Sequence, residues 1–407
     1  MAAAWDVADS EEIDMYGNRN IFMRVLSVAR RECGIIMSTP IYVFCMLIFP
    51  VLMIVFFTSL MDEGVPQKMP IGIVDIDNTS TTRSIVRRLD AMQTSRVVAR
   101  YATPAEARTA MQRNEIYAFL YFPEGTTAEI VSQRKPKISF YYNSTMIMAG
   151  ALLFRDMKTV CTLASAAVGR SAMLARGYTD DQIMAFLQPI SVDSHMIGNP
   201  WLNYNFYLGS FIVPGILLLF MFLITAYSIG TELKFNRSKV LMRLSGNDIR
   251  VAIFGKMLPQ TLIFLVIFYG YFIYLYAFLG FPHQGGWLPV ALIGFLVVIA
   301  SQAFGVFVFG LMPSLRLSMS VCSLWAVLSF TMCGAAFPLF AMDPMLEGLG
   351  QLFPLRHYFM FYQICVFNGY PLSDAWINIL ALAIFICLPA FTMKNLRRAM
   401  LEFVYIP

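Results

Sequence analysis

Residues 206–229 read FYLGSFIVPGILLLFMFLITAYSI, twenty-four positions without an Asp, Glu, Lys or Arg. As a helix rising 1.5 Å per residue this stretch is about 36 Å long, enough to cross a hydrocarbon core of about 30 Å. Five further runs approach that length: 41–61, 258–280, 290–311, 317–340 and 375–393. None has an acidic or basic residue in its central part. Composition points the same way. The chain has 407 residues, of which 58% are hydrophobic and only 14% charged, and its mean hydropathy is +0.63. A soluble domain carries roughly 25% charged residues, so these few charges cannot coat a soluble protein of this size. The expected fold class is an α-helical polytopic membrane protein with six transmembrane helices.

Orientation follows from Lys and Arg in the short connecting segments. Arg19, Arg24, Arg30 and Arg31 precede the first run, and Lys234, Arg237, Lys239, Arg243, Arg250 and Lys256 lie between the second and third. Arg316 lies between the fourth and fifth, and Lys394, Arg397 and Arg398 follow the last. The opposite segments are poor in cations: 281–289 has none and 341–374 has only Arg356. Both termini are therefore expected in the cytoplasm, with 1–40 and 394–407 as the cytoplasmic ends. The acidic start (Asp6, Asp9, Glu11, Glu12, Asp14) and the late onset of the first apolar run argue against a cleavable signal peptide, leaving 41–61 as an uncleaved insertion signal. Just before it, Phe22, Val25, Leu26, Ala29, Cys33, Ile36 and Met37 recur at helical spacing, with Arg24, Ser27 and Arg31 on another face. That pattern predicts an amphipathic helix in the membrane interface, its arginines toward lipid phosphates.

The insert 62–205 reads as a domain of its own, an α/β extracytoplasmic domain between the first and second spans, with a helical stalk. Residues 69–77 read as a buried strand ending in acidic turn residues, 81–90 as a helix and 97–101 as a second strand. Thr103, Pro104 and Glu106 form an N-cap, first-position and first-turn pattern for a helix to about Asn114. Further strands are predicted at 117–122 and 138–142, then long helices from 146 to about 187 leading back to the membrane. The alternation suggests a small α/β fold. Residues 341–370 are apolar but broken by Pro344 and Pro354 and flanked by Pro338 and Pro371. A re-entrant pair of short helices accounts for this, since irregular backbone at membrane depth must be buried in protein or line a cavity. The seven cysteines lie mostly in or beside apolar runs, and only Cys161 falls in the insert, so no disulfide framework holds that domain.

Several chemistries are missing. A phosphate-binding loop needs G-x-x-x-x-G-K-[ST]; at Gly255-Lys256 the next residue is Met257, and Arg250 stands where the first Gly should be. Spans without central charges disfavour a proton-coupled carrier. His195 beside Asp193 and Ser194 lacks a nucleophile elbow, and His195, His283 and His357 do not form a metal-ligand pattern. Tyr269, Tyr271, Tyr274 and Tyr276 crowd the outer half of the third run as an aromatic belt would.

Certain segments resemble the permease subunits of type-2 ATP-binding cassette exporters, the ABC-2 family, in its long-ectodomain bacterial branch. Arg30-Arg31-Glu32 looks like that family's connecting helix. Residues 71–77 followed by Asn78-Thr79-Ser80 look like the start of its ectodomain, and Tyr121-Phe122-Pro123-Glu124-Gly125 like its strand-then-Pro turn. Gly255-Lys256-Met257-Leu258-Pro259 resembles its approach to the third span. Gly334-Ala335-Ala336-Phe337-Pro338-Leu339, with Pro344, Phe353-Pro354-Leu355 and Tyr358, resembles its C-terminal signature. One departure is the basic stretch 236–245 (NRSKVLMRLS): Glu232 fits the family's acidic pattern, but a second Glu is absent.

The resemblance implies a half-transporter in a bacterial inner membrane that exports amphipathic or hydrophobic cargo such as a drug, lipid or glycan. It implies that this chain binds no cofactor, ATP and Mg residing on partner ATPase subunits. Glu232, Lys234, Arg237, Lys239 and Arg243 would contact the ATPase, with Arg24, Arg30, Arg31 and Glu32 on the interfacial helix. Phe211, Phe222, Thr225, Ser323 and Phe330 would line the path, and Gly334, Phe337, Pro338, Pro344 and Pro354 would form the re-entrant signature. Other implied partners are a second permease, identical or a sister, a periplasmic adaptor and membrane lipid, with no nucleic acid. The competing expectation is a membrane-anchored scaffold or sensor whose ectodomain binds an envelope ligand without transport.

Overall fold

A computed structural model of the chain describes residues 20–402 except 61, 133, 135, 189–192, 194, 196–198 and 200–202. The acidic N-terminal stretch, Arg19 and Ser194 lie outside the described residues. The chain divides into two units: Met1–Asp62 with Ile197–Pro407, and Glu63–Met196.

Among the described residues of the first unit, six helices are long and apolar enough to span a membrane: Pro40–Leu60, Tyr204–Lys234, Ile249–Phe278, Trp287–Leu311, Leu315–Met332 and Leu372–Glu402. The second and third outrun the apolar stretches that predicted them. Polar caps set two of their ends: the Asn203 side chain accepts from the Phe206 N–H at 3.1 Å, and Asp248 accepts from the Arg250 N–H at 2.9 Å. The second span runs on to Lys234 and the third starts at Ile249, so Glu232 and Lys256, outside the predicted runs, lie within these helices. The fifth span is shorter than predicted and stops at Met332. Gly334 then takes φ +95, where a Cβ would meet Leu339 at 2.8 Å, and Pro338 follows. The second and fourth spans form the buried centre, whereas the first, fifth and sixth leave most of their surface uncovered. Glycines permit the closest crossings. A Cβ on Gly305 of the fourth span would meet Thr225 of the second at 2.9 Å, and one on Gly230 would meet Leu315 at 2.5 Å.

Residues 341–370 contain two short helices, Pro344–Gly350 and Pro354–Phe361, the latter running into a π-helical turn, Tyr362–Phe367. Each begins with Pro at its first position, where the missing N–H is no loss, and Asp343 caps the first through the Met345 N–H at 2.9 Å.

The second unit is an α/β fold with four strands, β1 (Met69–Asp75), β2 (Ser95–Arg100), β3 (Ala118–Phe122) and β4 (Ser139–Tyr142), in the order β2-β1-β3-β4. β1 is parallel to both β2 and β3, Ile73 facing Leu120, and β4 is antiparallel to β3. Parallel neighbours need crossovers, supplied by helices Ser80–Asp90 and Pro104–Gln112. Alternate side chains enter two cores. Ile71, Ile73, Leu120 and Phe122 meet Ile85, Leu89, Leu153 and Met157 on one face, and Val74 and Phe119 meet Ala107, Ala110 and Ile116 on the other. Burial on both faces explains the unbroken apolar run in β1. Helix Thr126–Val131 was not foreseen; it starts after Gly125 at φ +78. The helices expected over 146–187 are Ile147–Leu174 and Asp180–Leu187, separated at Gly177 with φ +86.

The β1–helix turn is built around Asp77. Its carboxylate accepts from the Thr127 N–H at 3.1 Å, the Thr127 hydroxyl at 2.5 Å and the Thr79 hydroxyl at 3.2 Å. Led by the Thr127 side chain, these donors hold its pKa below the usual carboxylate range. A depressed folded pKa contributes stability that is present above the unfolded value of about 4 and disappears as pH falls through the folded one. Asp77→Asn should therefore lower the melting temperature at pH 7 and lose less than the parent on acidification, a contrast that melting curves at pH 7 and pH 3 read directly.

Candidate functional site

The N-terminal helix Ile21–Ser38 turns Val28, Ala29, Glu32 and Ile36 inward and leaves Phe22, Leu26 and Met37 exposed. It crosses the third span closely, because a Cβ on Gly255 would meet the Val28 Cβ at 2.8 Å and the Val25 carbonyl oxygen at 2.9 Å. This crossing brings Glu32 to Lys256. On the second span, Ser228 and Glu232 are four residues apart and share a face, as do Lys256 and Gln260 on the third.

These five groups, with Arg31, close into one network. Lys256 Nζ lies 2.5 Å from Glu32 Oε2 and 2.9 Å from Glu232 Oε1. The Arg31 guanidinium donates to both Glu232 oxygens, each at 2.9 Å. Glu32 Oε1 also accepts from the Ser228 hydroxyl and from Gln260 Nε2, both at 3.0 Å, and Gln260 Nε2 reaches Ser228 Oγ at 2.8 Å. Two cations face two carboxylates, so the cluster is formally neutral. Glu32, Glu232 and Lys256 are all at most 3% exposed. Burial opposes the charge on Arg31, yet the hydrogen bond and charge of Glu232, with Glu32 beyond, outweigh it and its pKa is raised. Beside the cluster, the buried Tyr42 of the first span packs edge-on against Tyr227, ring centres 5.6 Å apart. Three separate stretches of chain are thus pinned by charge at one end of the helical unit.

A short helix, Ser238–Leu244, follows the second span. Leu241 and Met242 anchor it, while Lys239 and Arg243, with Lys234 and Arg237 just before, are exposed. Its backbone is tied to the cluster, because the Arg237 N–H donates to the Glu232 carbonyl at 2.8 Å. At its far end, the Arg24 guanidinium donates to the Ser245 carbonyl at 3.4 Å.

The structure therefore divides the residues expected to meet an ATPase. Lys234, Arg237, Lys239 and Arg243 form one exposed basic surface, whereas Glu232 is buried beneath it in ion pairs. The interfacial helix also differs from expectation. Arg30 is exposed, but Arg31 turns inward to Glu232 rather than toward lipid phosphates, because the buried carboxylate is the stronger partner. Lys256, Gln260 and Ser228 were missed; their signal was a polar residue every fourth position where two apolar runs approach the cation-rich segment. The expected path residues are placed as follows. Phe211 packs on Phe359 with ring centres at 5.7 Å, Phe222 on Phe304 at 5.0 Å, and Thr225 is buried beside Gly305. Phe330 lies against Gly215, and the half-buried Ser323 donates to the Ser320 carbonyl at 3.0 Å. Of the re-entrant signature, Gly334 makes its left-handed turn, Pro344 and Pro354 open helices, and Phe337 is exposed.

The histidines stay apart. His195 meets Asp193 at 3.1 Å on the surface, His283 stacks on Tyr276 at 4.5 Å, and His357 is buried with Nε2 2.8 Å from the Gln351 carbonyl. Among the described residues no group of three or more His, Cys, Asp or Glu is placed to hold a metal ion.

Six apolar helices, two short Pro-initiated helices and a charge cluster binding an amphipathic N-terminal helix to two spans define a multi-pass membrane component with its polar machinery at the helix ends. The chain belongs to the ABC-2 transporter family: residues 40–390 match the family described as ABC-2 family transporter protein. No curated protein matches the chain. Membership supports a permease role and implies, in general, an ATPase partner; permeases of this family are generally non-catalytic.

Proposed function

We propose that the chain is the transmembrane permease subunit of an ATP-driven exporter of amphipathic or hydrophobic cargo, drug, lipid or glycan-like, out of the cytoplasm or inner leaflet of a bacterial inner membrane. Both termini face the cytoplasm, the α/β unit lies on the opposite side, and two permeases, identical or sisters, pair with two ATPase subunits that hold ATP and Mg. A periplasmic adaptor docks on the α/β unit. The observation that supports this reading is the coupling of an exposed basic helix, Ser238–Leu244, to a buried charge cluster one turn away. A displacement of that helix by a soluble partner pulls on Glu232, and the ion pairs pass the pull to the N-terminal helix and the third span together. Force from outside the chain thus moves three membrane elements as one.

Purification in mild detergent with the cognate ATPase tests the reading. The ATPase should co-purify, and its hydrolysis should rise in the presence of at least one amphipathic compound from a cargo panel. A permease that retains no ATPase, or hydrolysis that no cargo changes while the α/β unit retains an envelope ligand, would favour the scaffold or sensor instead.

A further inference from the structure

Pro214 sits inside the second span. It has no N–H, so the Ser210 carbonyl four residues earlier lacks its helical donor, and the pyrrolidine ring crowds that same carbonyl. Within an apolar span a bare carbonyl is strongly unfavourable. The Ser210 carbonyl is not bare: the hydroxyl of Tyr358, from the short helix Pro354–Phe361, donates to it at 3.1 Å. One residue earlier the hydroxyl of Tyr271, from the third span, donates to the Gly209 carbonyl at 2.7 Å. Gly209 leaves the room for this, since a Cβ there would come within 3.1 Å of the Tyr271 hydroxyl. Both tyrosines are at most 1% exposed.

The two hydroxyls belong to a larger aromatic body. Tyr276 donates to Tyr362 at 2.9 Å, and Phe272 stacks on both, ring centres 5.7 and 6.2 Å away. Tyr276 and Tyr362 each lie in a π-helical turn, Tyr274–Phe278 and Tyr362–Phe367, a feature concentrated at functional positions. Beyond Pro214, the ring of Phe330 and the Leu355 side chain fill the space over Gly215.

We propose that Pro214 makes the second span a hinge, and that the hydroxyls of Tyr271 and Tyr358 are the latch that holds the segment before it in register. Two different elements, the third span and the second re-entrant helix, each supply one half of the latch. Tyr271 and Tyr358 are thus positioning residues: they act through the backbone of the second span on Phe211, which lies between latch and hinge. The hinge and latch are properties of this chain alone; only their service to cargo passage rests on the exporter reading.

The test needs neither ATPase nor cargo. Hydrogen exchange is measured on the full chain in lipid nanodiscs, over peptides covering 206–213. Removing one hydroxyl–carbonyl bond with Tyr358→Phe should speed exchange there by about five-fold. Pro214→Ala returns an N–H to the Ser210 carbonyl, so Tyr358→Phe in that background should change exchange by less than about two-fold. Pro214→Leu supplies the same N–H and serves as a second background should Pro214→Ala fold poorly. Equal acceleration by Tyr358→Phe with and without Pro214 would mean that the ring only fills space, and no acceleration in the parent would remove the latch; either result overturns the proposal.

Discussion

Lys256→Met is expected to destabilise the helical unit by about 3–5 kcal/mol, because it strands the buried Glu32 without a cation and leaves Arg31 alone to face two carboxylates. The ammonium is 1% exposed, and Met fills a similar volume, so loss of packing contributes little. What is lost is compensation of buried charge. Thermal unfolding in detergent, followed by light scattering or tryptophan fluorescence, reads the effect. A second variant separates charge from shape. Lys256→Met with Glu32→Gln leaves Arg31 and Glu232 as a neutral, bidentate pair, and should recover at least about half of the loss, because the two sites are directly coupled. A Lys256→Met protein as stable as its parent, or a double variant worse than the sum of the singles, would show that the cluster is not held by charge compensation.

Charge reversal of the exposed basic surface just before helix Ser238–Leu244 should act in the opposite way. Lys234→Glu with Arg237→Glu lies on the surface, where substitutions generally change stability by no more than about 0.5 kcal/mol. The melting temperature of the permease alone should stay where it was. If this surface docks an acidic face of the ATPase, turning attraction into repulsion costs about 2–5 kcal/mol at the contact, or at least about thirty-fold in affinity. Cargo-stimulated hydrolysis should then fall by about ten-fold or more at fixed ATPase concentration, and the loss should shrink when ATPase is added in excess. Unchanged stimulation would move the contact elsewhere. Glu232→Lys is not a substitute for this experiment: its side chain is buried in ion pairs, so the variant reports on folding. Deleting the connecting segment through Lys256 fails for the same reason, since it removes half of the cluster.

The membrane architecture was legible because it rests on local composition. A run such as 206–229 has no folded option other than to hide its backbone in a helix across lipid. The α/β unit was legible through the alternation of strand and helix patterns and through Thr103-Pro104, which cap and open helix Pro104–Gln112. The ends of the second and third spans were not. Apolarity fades before Glu232 and Lys256, so a reading of hydropathy stops short, while Asn203 and Asp248, as caps, set two helix ends. The charge cluster was least legible of all. Glu232 and Arg31 were both singled out, but with opposite surroundings in view, one for a soluble partner and the other for lipid. Nothing in the spacing of either says that they face each other across 201 positions of chain. Helix Thr126–Val131 was hidden differently, because Pro123-Glu124-Gly125 reads as a plain turn and only the left-handed Gly125 reveals that a helix starts after it.

The distances along the chain within that cluster bear on biogenesis. Glu32 is separated by 196 residues from Ser228 and by 224 from Lys256. At ribosomal speeds of about 5–20 residues per second, its carboxylate waits on the order of 10–45 s for its ammonium partner. Over that interval Glu32 lacks its ammonium partner, while the α/β unit emerges and then Ser228 and Glu232 become available. Chains that end before Lys256 carry two carboxylates of the cluster with a single guanidinium. Synthesis of the third span is therefore the step that brings the cluster to charge balance.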